Sequence, residues 1–537
     1  TRRRSSRFHM PARHAVGAAV ALVLLNGSLT FTNVWPTPKI RWGWALSVEL
    51  AVVVLALVLA GRWRNALAGR VLPVLWIVLV IGRYLAVTGP GLYGRDFNIY
   101  WDSQHIGNVT AMLARAVPAW ALVAGVAAGV LALAGLFVAI RAAFRQVDRL
   151  IEFPVARPLV AGVAAVVLAL FFVVPRPPAS DALLRYADPV TPVFARQVRF
   201  ALALAGPGVT IPPSPAVLNE EVPALGGADL LVIFVESYGA VTYDRPAFAE
   251  ALAASREGLA TAARDTGRRV LSAFVDPPTF GASSWLSHLS FMTGLEVRDQ
   301  YTYTAVMASD RDTLARAFRR RGYRSVALMP GMRQPWPEGA FYGFDEIYGR
   351  AALDYRGPQF GWWSIPDQYA LAKLDALERT REGRAPLFAF FPTSTTHAPF
   401  GPVPPYQPDW ARVLTPEPFE PADADAAIAA RPDLTDLAPS YLRATAYEFE
   451  VFAGYLREHA GDDLVLVLIG DHQPPSAVSG PGAPWDVPVH IVARQPAILA
   501  ALERAGFRDG MTPARPAVGT MSGLTAALMR ALGGSDE

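Results

Sequence analysis

The sequence predicts a two-part molecule: five membrane-spanning helices, then an α/β domain built on a doubly wound sheet. Three observations carry this. Hydrophobic residues make up 52% of the 537 and charged residues only 18%. Long apolar stretches are confined to the part before residue 176. After residue 228, short apolar runs alternate with amphipathic helical ones, as in sheets whose strands are joined by helices. The length itself exceeds one ordinary domain.

Five apolar stretches, at roughly 15–32, 43–61, 71–88, 116–140 and 158–175, each approach the ~20 residues that cross a bilayer. The first follows "TRRRSSRFHMPARH". It reads as a retained helix rather than a cleaved signal, because four more spans follow and no small-residue cleavage site stands behind it. Arginines mark alternate loops: Arg2, Arg3, Arg4, Arg7 and Arg13, then Arg62, Arg64 and Arg70, then Arg141, Arg145, Arg149 and Arg157. The loops between hold only Lys39, Arg41 and Arg95. The positive-inside rule then puts the N-terminus in the cytoplasm and everything after residue 176 outside. Segment 141–157 reads as an amphipathic connector and the aromatic loop 89–105 as interfacial. The proline-rich stretch 176–227 reads as a linker, with an amphipathic piece near 193–204 suited to a membrane surface. The expected domains are thus 1–175, 176–227 and 228–537. The net charge of +3 comes with arginines near the N-terminus, which suits an anionic membrane surface and not nucleic acid. The absence of cysteine excludes disulfides and thiolate metal sites.

In the back half, "ADLLVIFVESYG" is an apolar run of strand formers that ends at Glu236. "LARAFRRRGYRSVALMPG" (314–331) is a helix, a glycine turn and a strand. "APLFAFFPTSTTHAPF" (385–400) is a strand entering a polar loop that holds His397. "YLRATAYEFEVFAGYLREHAGDDLVLVLIGDHQPP" (441–475) is a long helix and a strand that ends at Asp471 and His472. In doubly wound sheets ligands bind beyond the carboxyl ends of the strands. Each residue alone has a plain structural reading: Glu236 as a cap, "GDH" as a turn, His397 as a loop histidine. Their shared placement at strand ends points instead to one site. Oxygen and imidazole donors without thiolate suit Mn²⁺, Mg²⁺ or Zn²⁺. His490, in "DVPVHIVAR", reads as a strand-core or surface histidine.

"GASSWLSHLSFMTG" (281–294) crowds Ser283, Ser284, Ser287 and His288 onto the start of a helix. A hydroxyl there gains from the helix dipole and the free N–H groups, which also stabilise a phosphoryl oxygen. Metal binding would lower its pKa for attack. The plain alternative is that Ser283 or Ser284 only caps the helix.

With these residues in order, the chain resembles the alkaline phosphatase and sulfatase superfamily: "LLVIFVES", a hydroxyl followed ten residues later by "TG", then "H-x-P-F", then "GDH". With five leading helices it is similar to lipoteichoic acid synthases, to phosphoglycerol transferases that decorate periplasmic glucans, and to phosphoethanolamine transferases. The resemblance implies an alkaline-phosphatase-like domain outside a bacterial cytoplasmic membrane. It implies one divalent ion, manganese foremost, on Glu236, Asp471, His472 and the nucleophile. It implies His397 as a contact to the phosphate or leaving group. Counting back ten from Gly294 reaches Ser284 as nucleophile, with His288 in register; alignment on the upstream glycine would favour Ser283. Trp336 matches a pocket tryptophan of the synthases. The arginine expected two residues later is Glu338 here, and Arg333 is a candidate to supply that charge.

The resemblance therefore implies transfer of a phospholipid headgroup, phosphoglycerol first, through a covalent serine ester to a glycan or glycolipid. The C/S-x-P-S-R sulfatase signature is absent, and one acid ends the first strand where two-metal phosphatases carry a pair. Both favour a one-metal transferase. Phosphoethanolamine transfer is the near alternative; such enzymes often carry disulfides, which this chain cannot form. Hydrolysis of a phosphodiester or sulfate ester, and an inactive lipid-binding regulator, are the others.

Overall fold

The structure, a computed structural model, describes residues 11–33, 40–61, 66–93, 97–104, 106–107, 110, 119–173, 186–204, 210–332, 336–361, 365–433, 435–480 and 482–534. The chain forms two compact units, one of residues 1–90 and 96–207, the other of residues 91–95 and 208–537.

The first unit contains helices α1 (Ala12–Thr30), α2 (Val48–Leu59), α3 (Leu72–Tyr93), α4 (Ala119–Glu152), α5 (Ala156–Val173) and α6 (Thr191–Leu204). Among the described residues, four helical stretches are long and apolar enough to cross a membrane: Ala12–Thr30, Ala68–Gly89, Ala119–Glu152 and Ala156–Val173. The stretch expected as a second span is instead a 12-residue helix, capped by the Ser47 hydroxyl on the N–H of Leu50. The expected connector 141–157 largely continues α4, whose buried Ile140, Phe144, Val147 and Ile151 recur at helical spacing. No proline interrupts that helix until Pro154, which disfavours helical backbone at the residue before it. Trp76 donates its indole N–H to Ser28 at 2.9 Å inside this unit, a polar pair satisfied where water is scarce.

The second unit is built on an eight-stranded sheet. Its strands are β1 (Asp229–Val235), β2 (Arg269–Val275), β3 (Arg324–Met329), β4 (Glu346–Gly349), β5 (Leu387–Pro392), β6 (Leu464–Gly470), β7 (Val487–Ala493) and β8 (Arg508–Asp509), in spatial order β8-β2-β7-β6-β1-β5-β3-β4. From β6 to β4 neighbouring strands are parallel; β7 is antiparallel to both β6 and β2. All seven residues of β1 and of β6 are buried. Their side chains alternate between two cores: Leu230, Val232 and Phe234 enter one, and Leu231, Ile233 and Val235 the other. This is why the sequence shows a continuous apolar run instead of alternation. Val217, Leu218, Val222 and Leu225, from the stretch expected as linker, are buried in the first of these cores.

Register fixes the site. Phe234 lies opposite Pro392, and Val235 opposite Gly470. Glu236 and Asp471 therefore leave the sheet level with one another, with Thr393 level with Val235, one residue before them. A Cβ on Gly470 would stand 1.9 Å from the Tyr238 carbonyl oxygen, so glycine here lets the 236–238 turn fold over the end of β6.

Candidate active site

Glu236, Asp471 and His472 are buried at the ends of β1 and β6, and their ligand atoms all lie within 4.8 Å of one another. Backbone donors set the Asp471 carboxylate: the N–H groups of Ser237 and His472 both reach its Oδ1 at 2.7 Å. Its Oδ2 is buried with no hydrogen-bond partner. The Nδ1–H of His472 donates to the Gln473 carbonyl at 2.8 Å, so Nε2 carries the lone pair. That atom stands 3.5 Å from Glu236 Oε1.

The fourth group comes from the helix Ser284–Thr293. The Ser284 hydroxyl donates to Glu236 Oε2 at 2.8 Å and lies 3.2 Å from His472 Nε2. Ser283, just before the helix, has left-handed backbone (φ 68°) and its side chain makes no capping bond. Ser237, beside Glu236, is also left-handed (φ 59°), and donates to Glu236 Oε1 at 3.0 Å. Such backbone costs about 1–3 kcal/mol per residue and concentrates at functional sites. Ser287 reaches the Asp471 carbonyl at 2.6 Å and ties the helix to the end of β6.

Electrostatics separate the two acids. Burial alone would raise Glu236, but its interactions with His397 and His472, and then with Asp471 and Ser284, hold it down, at about 2. Asp471 is pushed well above the usual carboxylate range by burial and by the Glu236 charge. Burial lowers His472, which favours the neutral imidazole that binds metals. Two buried acids, one bare imidazole nitrogen, a hydroxyl and an orphaned carboxylate oxygen fit a divalent cation, whose charge would settle the acids' mutual repulsion.

His397 is half-buried in the 393–397 loop, and its Nδ1–H donates to the Ala398 carbonyl at 2.9 Å. The loop is anchored at Glu236, whose N–H donates to Thr393 Oγ1 at 3.1 Å. His288, one turn after Ser284, packs its ring against Phe234 (4.6 Å) and Phe390 (5.4 Å). Its Nε2 is buried without a hydrogen-bond partner, and burial depresses its pKa to about 3. Trp336 is half-buried against Tyr342 at 5.2 Å, and Glu338 is exposed. Arg333 lies outside the described residues. His490 is fully buried, with Nδ1 on Ser272 at 2.6 Å and Nε2 on Tyr238 at 3.0 Å.

Sequence reasoning missed Gln473. It is wholly buried; its carbonyl accepts from His472 Nδ1 and from the Gly281 N–H (3.1 Å), and its amide donates to the carbonyls of Pro484 and Asp486. Asp367 was missed too: it accepts from the N–H and hydroxyl groups of both Ser394 and Thr395. Their signals were one polar residue directly after a metal-ligand pair and an acid at a helix start.

A serine at a helix N-terminus, poised over buried acids and an imidazole at the carboxyl edge of a mixed sheet, defines a phosphoryl- or sulfuryl-transfer class of domain. Residues 281–512 match the Sulfatase family model. The matched stretch, which holds Ser284, Asp471 and His472, is thus a sulfatase-type domain within the second unit. No curated protein matches the chain. Among solved structures, the chain is similar to the integral membrane lipooligosaccharide phosphoethanolamine transferase A (EptA) from Neisseria meningitidis, with 13% identity, 90% of this chain and 87% of that one covered, and a TM-score of 0.48. It is similar to the lipoteichoic acid synthase LtaP from Listeria monocytogenes, with 16% identity, 52% and 69% covered, and a TM-score of 0.35. It is also similar to the Streptococcus pyogenes phosphoglycerol transferase GacH, with 11% identity, 58% and 76% covered, and a TM-score of 0.36.

Proposed function

We propose that the protein transfers a phospholipid headgroup, phosphoglycerol, through an ester on Ser284 to a hydroxyl of a glycan or glycolipid outside a bacterial cytoplasmic membrane. The observation that carries this reading is the Ser284 hydroxyl, 2.8 Å from Glu236 and 3.2 Å from His472 at the first turn of its helix.

Glu236, Asp471, His472 and Ser284 would hold one divalent ion, with manganese the first candidate. Such an ion would lower the pKa of the hydroxyl and draw charge from the phosphoryl oxygens. The hydrogen bond to Glu236 orients the Ser284 hydroxyl, whose proton passes to solvent as it attacks. Ser284 Oγ attacks phosphorus, the bond from phosphorus to the glyceride oxygen breaks, and diacylglycerol leaves with a proton. Phosphoglycerol stays on the serine until an acceptor hydroxyl attacks, loses its own proton and restores Ser284. The helix N–H groups face the phosphoryl oxygens. His397, its Nδ1 proton engaged by Ala398, exchanges a proton with leaving group and acceptor through Nε2. The apolar helices keep the enzyme at the surface that holds its donor, which raises the effective concentration.

One observation favours a second donor. Glu338 puts an exposed carboxylate two residues from Trp336, where an ammonium headgroup would be matched and a glycerol would not. The test supplies labelled phosphatidylglycerol and phosphatidylethanolamine separately to the purified Mn²⁺-loaded protein in detergent. Diacylglycerol release and intact protein mass are followed, beside Ser284→Ala. Release from one lipid with a matching adduct, lost in the variant, identifies donor and nucleophile. Bound metal with neither release nor adduct from either lipid overturns the reading.

A further inference from the structure

Trp485 is the one exposed large aromatic residue among the described residues of the second unit, at 38%. Its ring packs on Phe280, with centroids 5.7 Å apart. Phe280 precedes Ser284 by four residues, so their Cα atoms are at most about 15 Å apart along the chain. The loop of Trp485 is not loose. The buried Gln473 amide donates to the carbonyls on either side of it, Pro484 at 2.8 Å and Asp486 at 3.1 Å, while Gln473 Oε1 accepts from the Val241 N–H at 3.2 Å. The carbonyl of the same glutamine accepts from Gly281 N–H, in the nucleophile's loop, and from His472 Nδ1. A Cβ on Gly239 would stand 1.9 Å from Gln473 Oε1, so the neighbouring turn is shaped around this side chain. One buried residue thus joins a metal-ligand candidate, the loop leading to Ser284 and an exposed tryptophan.

The setting of that tryptophan is charged. Arg515 donates to Asp486 at 2.9 Å and to Asp244 at 2.6 and 2.9 Å, and both Asp486 and Arg515 remain partly exposed. An acyl chain would gain nothing from such an edge. A sugar ring would, laying its C–H face on the indole and its hydroxyls on the carboxylate and guanidinium.

We infer that Trp485 and Phe280, edged by Asp486 and Arg515, form a subsite for a sugar ring of the acceptor, held in place against the nucleophile loop by Gln473. This rests on the transferase reading above, and the test separates the two.

The Mn²⁺-loaded full chain is given labelled phosphatidylglycerol with methyl β-D-glucopyranoside or cellobiose. In Trp485→Ala the ratio of sugar phosphodiester formed to diacylglycerol released falls about tenfold, and Trp485→Phe recovers most of it. An unchanged ratio in Trp485→Ala overturns the subsite. Saturation-transfer NMR of cellobiose on Ser284→Ala protein needs no turnover: sugar signals are expected with Trp485 present and lost in the Ser284→Ala, Trp485→Ala double variant. If the wild type releases no diacylglycerol yet cellobiose contact depends on Trp485, the transferase reading fails and the sugar subsite stands. If diacylglycerol is released but cellobiose contact ignores Trp485, the subsite fails and the transferase stands.

Discussion

Ser284 Oγ lies 3.2 Å from His472 Nε2, the ring nitrogen left bare because Nδ1–H is spent on Gln473. The same hydroxyl donates to Glu236. In the proposed mechanism, removing it takes away nucleophile and ligand together. Ser284→Ala is expected to lose at least about a thousandfold in turnover, since residues acting as one unit fail as one. Ser284→Thr keeps the hydroxyl and should retain measurable turnover. Ser283→Ala should cost far less. Steady-state diacylglycerol release on the three variants checks this ranking; equal losses at 283 and 284 would defeat it.

Asp471 offers one oxygen to two backbone N–H groups and leaves the other unpartnered beside Glu236. Asp471→Asn keeps the first function and removes the second, along with a buried carboxyl that the Glu236 charge disfavours ionising. The variant is expected to melt at or above the wild-type temperature in EDTA. It should bind Mn²⁺ at least about tenfold more weakly and show little metal-induced rise in Tm. Titration calorimetry and melting with and without metal check both halves.

How far the sequence could be read follows from which forces leave a periodic trace. "LLVIFVES" and "LVLVLIGDH" announce strands covered on both faces that end in acids, because burial writes a continuous apolar run. Strand direction leaves no such trace: β7 reads like its neighbours, yet runs against them. The membrane part was legible as apolar stretches: among the described residues four of the five are helices long enough to cross a membrane, and Val48–Leu59 is an apolar helix of 12 residues. Ser283 and Ser284 could not be separated on paper. Their difference is one left-handed residue, φ 68° at Ser283, and it leaves Ser284 as the hydroxyl that reaches the acid and the imidazole. Gln473 and Asp367 work through single hydrogen-bond geometries that no pattern encodes.

Gly470 ends β6 where the turn after Glu236 passes over it. A Cβ there would meet the Tyr238 carbonyl oxygen at 1.9 Å and its carbon at 3.0 Å, both backbone atoms that no rotamer change can move. Gly470→Ala is expected to destabilise the second unit by about 3 kcal/mol or more, among the large effects of single substitutions. Gly461→Ala, at an open position, is the control. Urea unfolding of the two variants decides between a steric and a merely conformational effect.

Glu448, on the helix Ala438–Glu458, is fully buried within hydrogen-bonding reach of Asp367 and Thr395. Burial and the Asp367 charge raise its pKa well above the usual value of 4.5. Folded protein therefore keeps a proton on Glu448 that the unfolded chain gives up above that value. Where the folded state binds more protons, stability falls as pH rises. The wild type thus gives up stability from about pH 4.5 upward, until the folded group itself ionises. Glu448→Gln has the same shape and no proton to lose. Its Tm relative to wild type is expected to rise steadily between pH 5 and pH 8. Asp367 accepts from four donor groups of Ser394 and Thr395, at the root of the loop that carries His397. Asp367→Asn should therefore lower turnover about tenfold or more by loosening that loop, while Glu448→Gln leaves it anchored. Parallel melts across pH, read beside turnover, distinguish the two acids; a Glu448→Gln curve parallel to wild type would show that Glu448 is not held protonated.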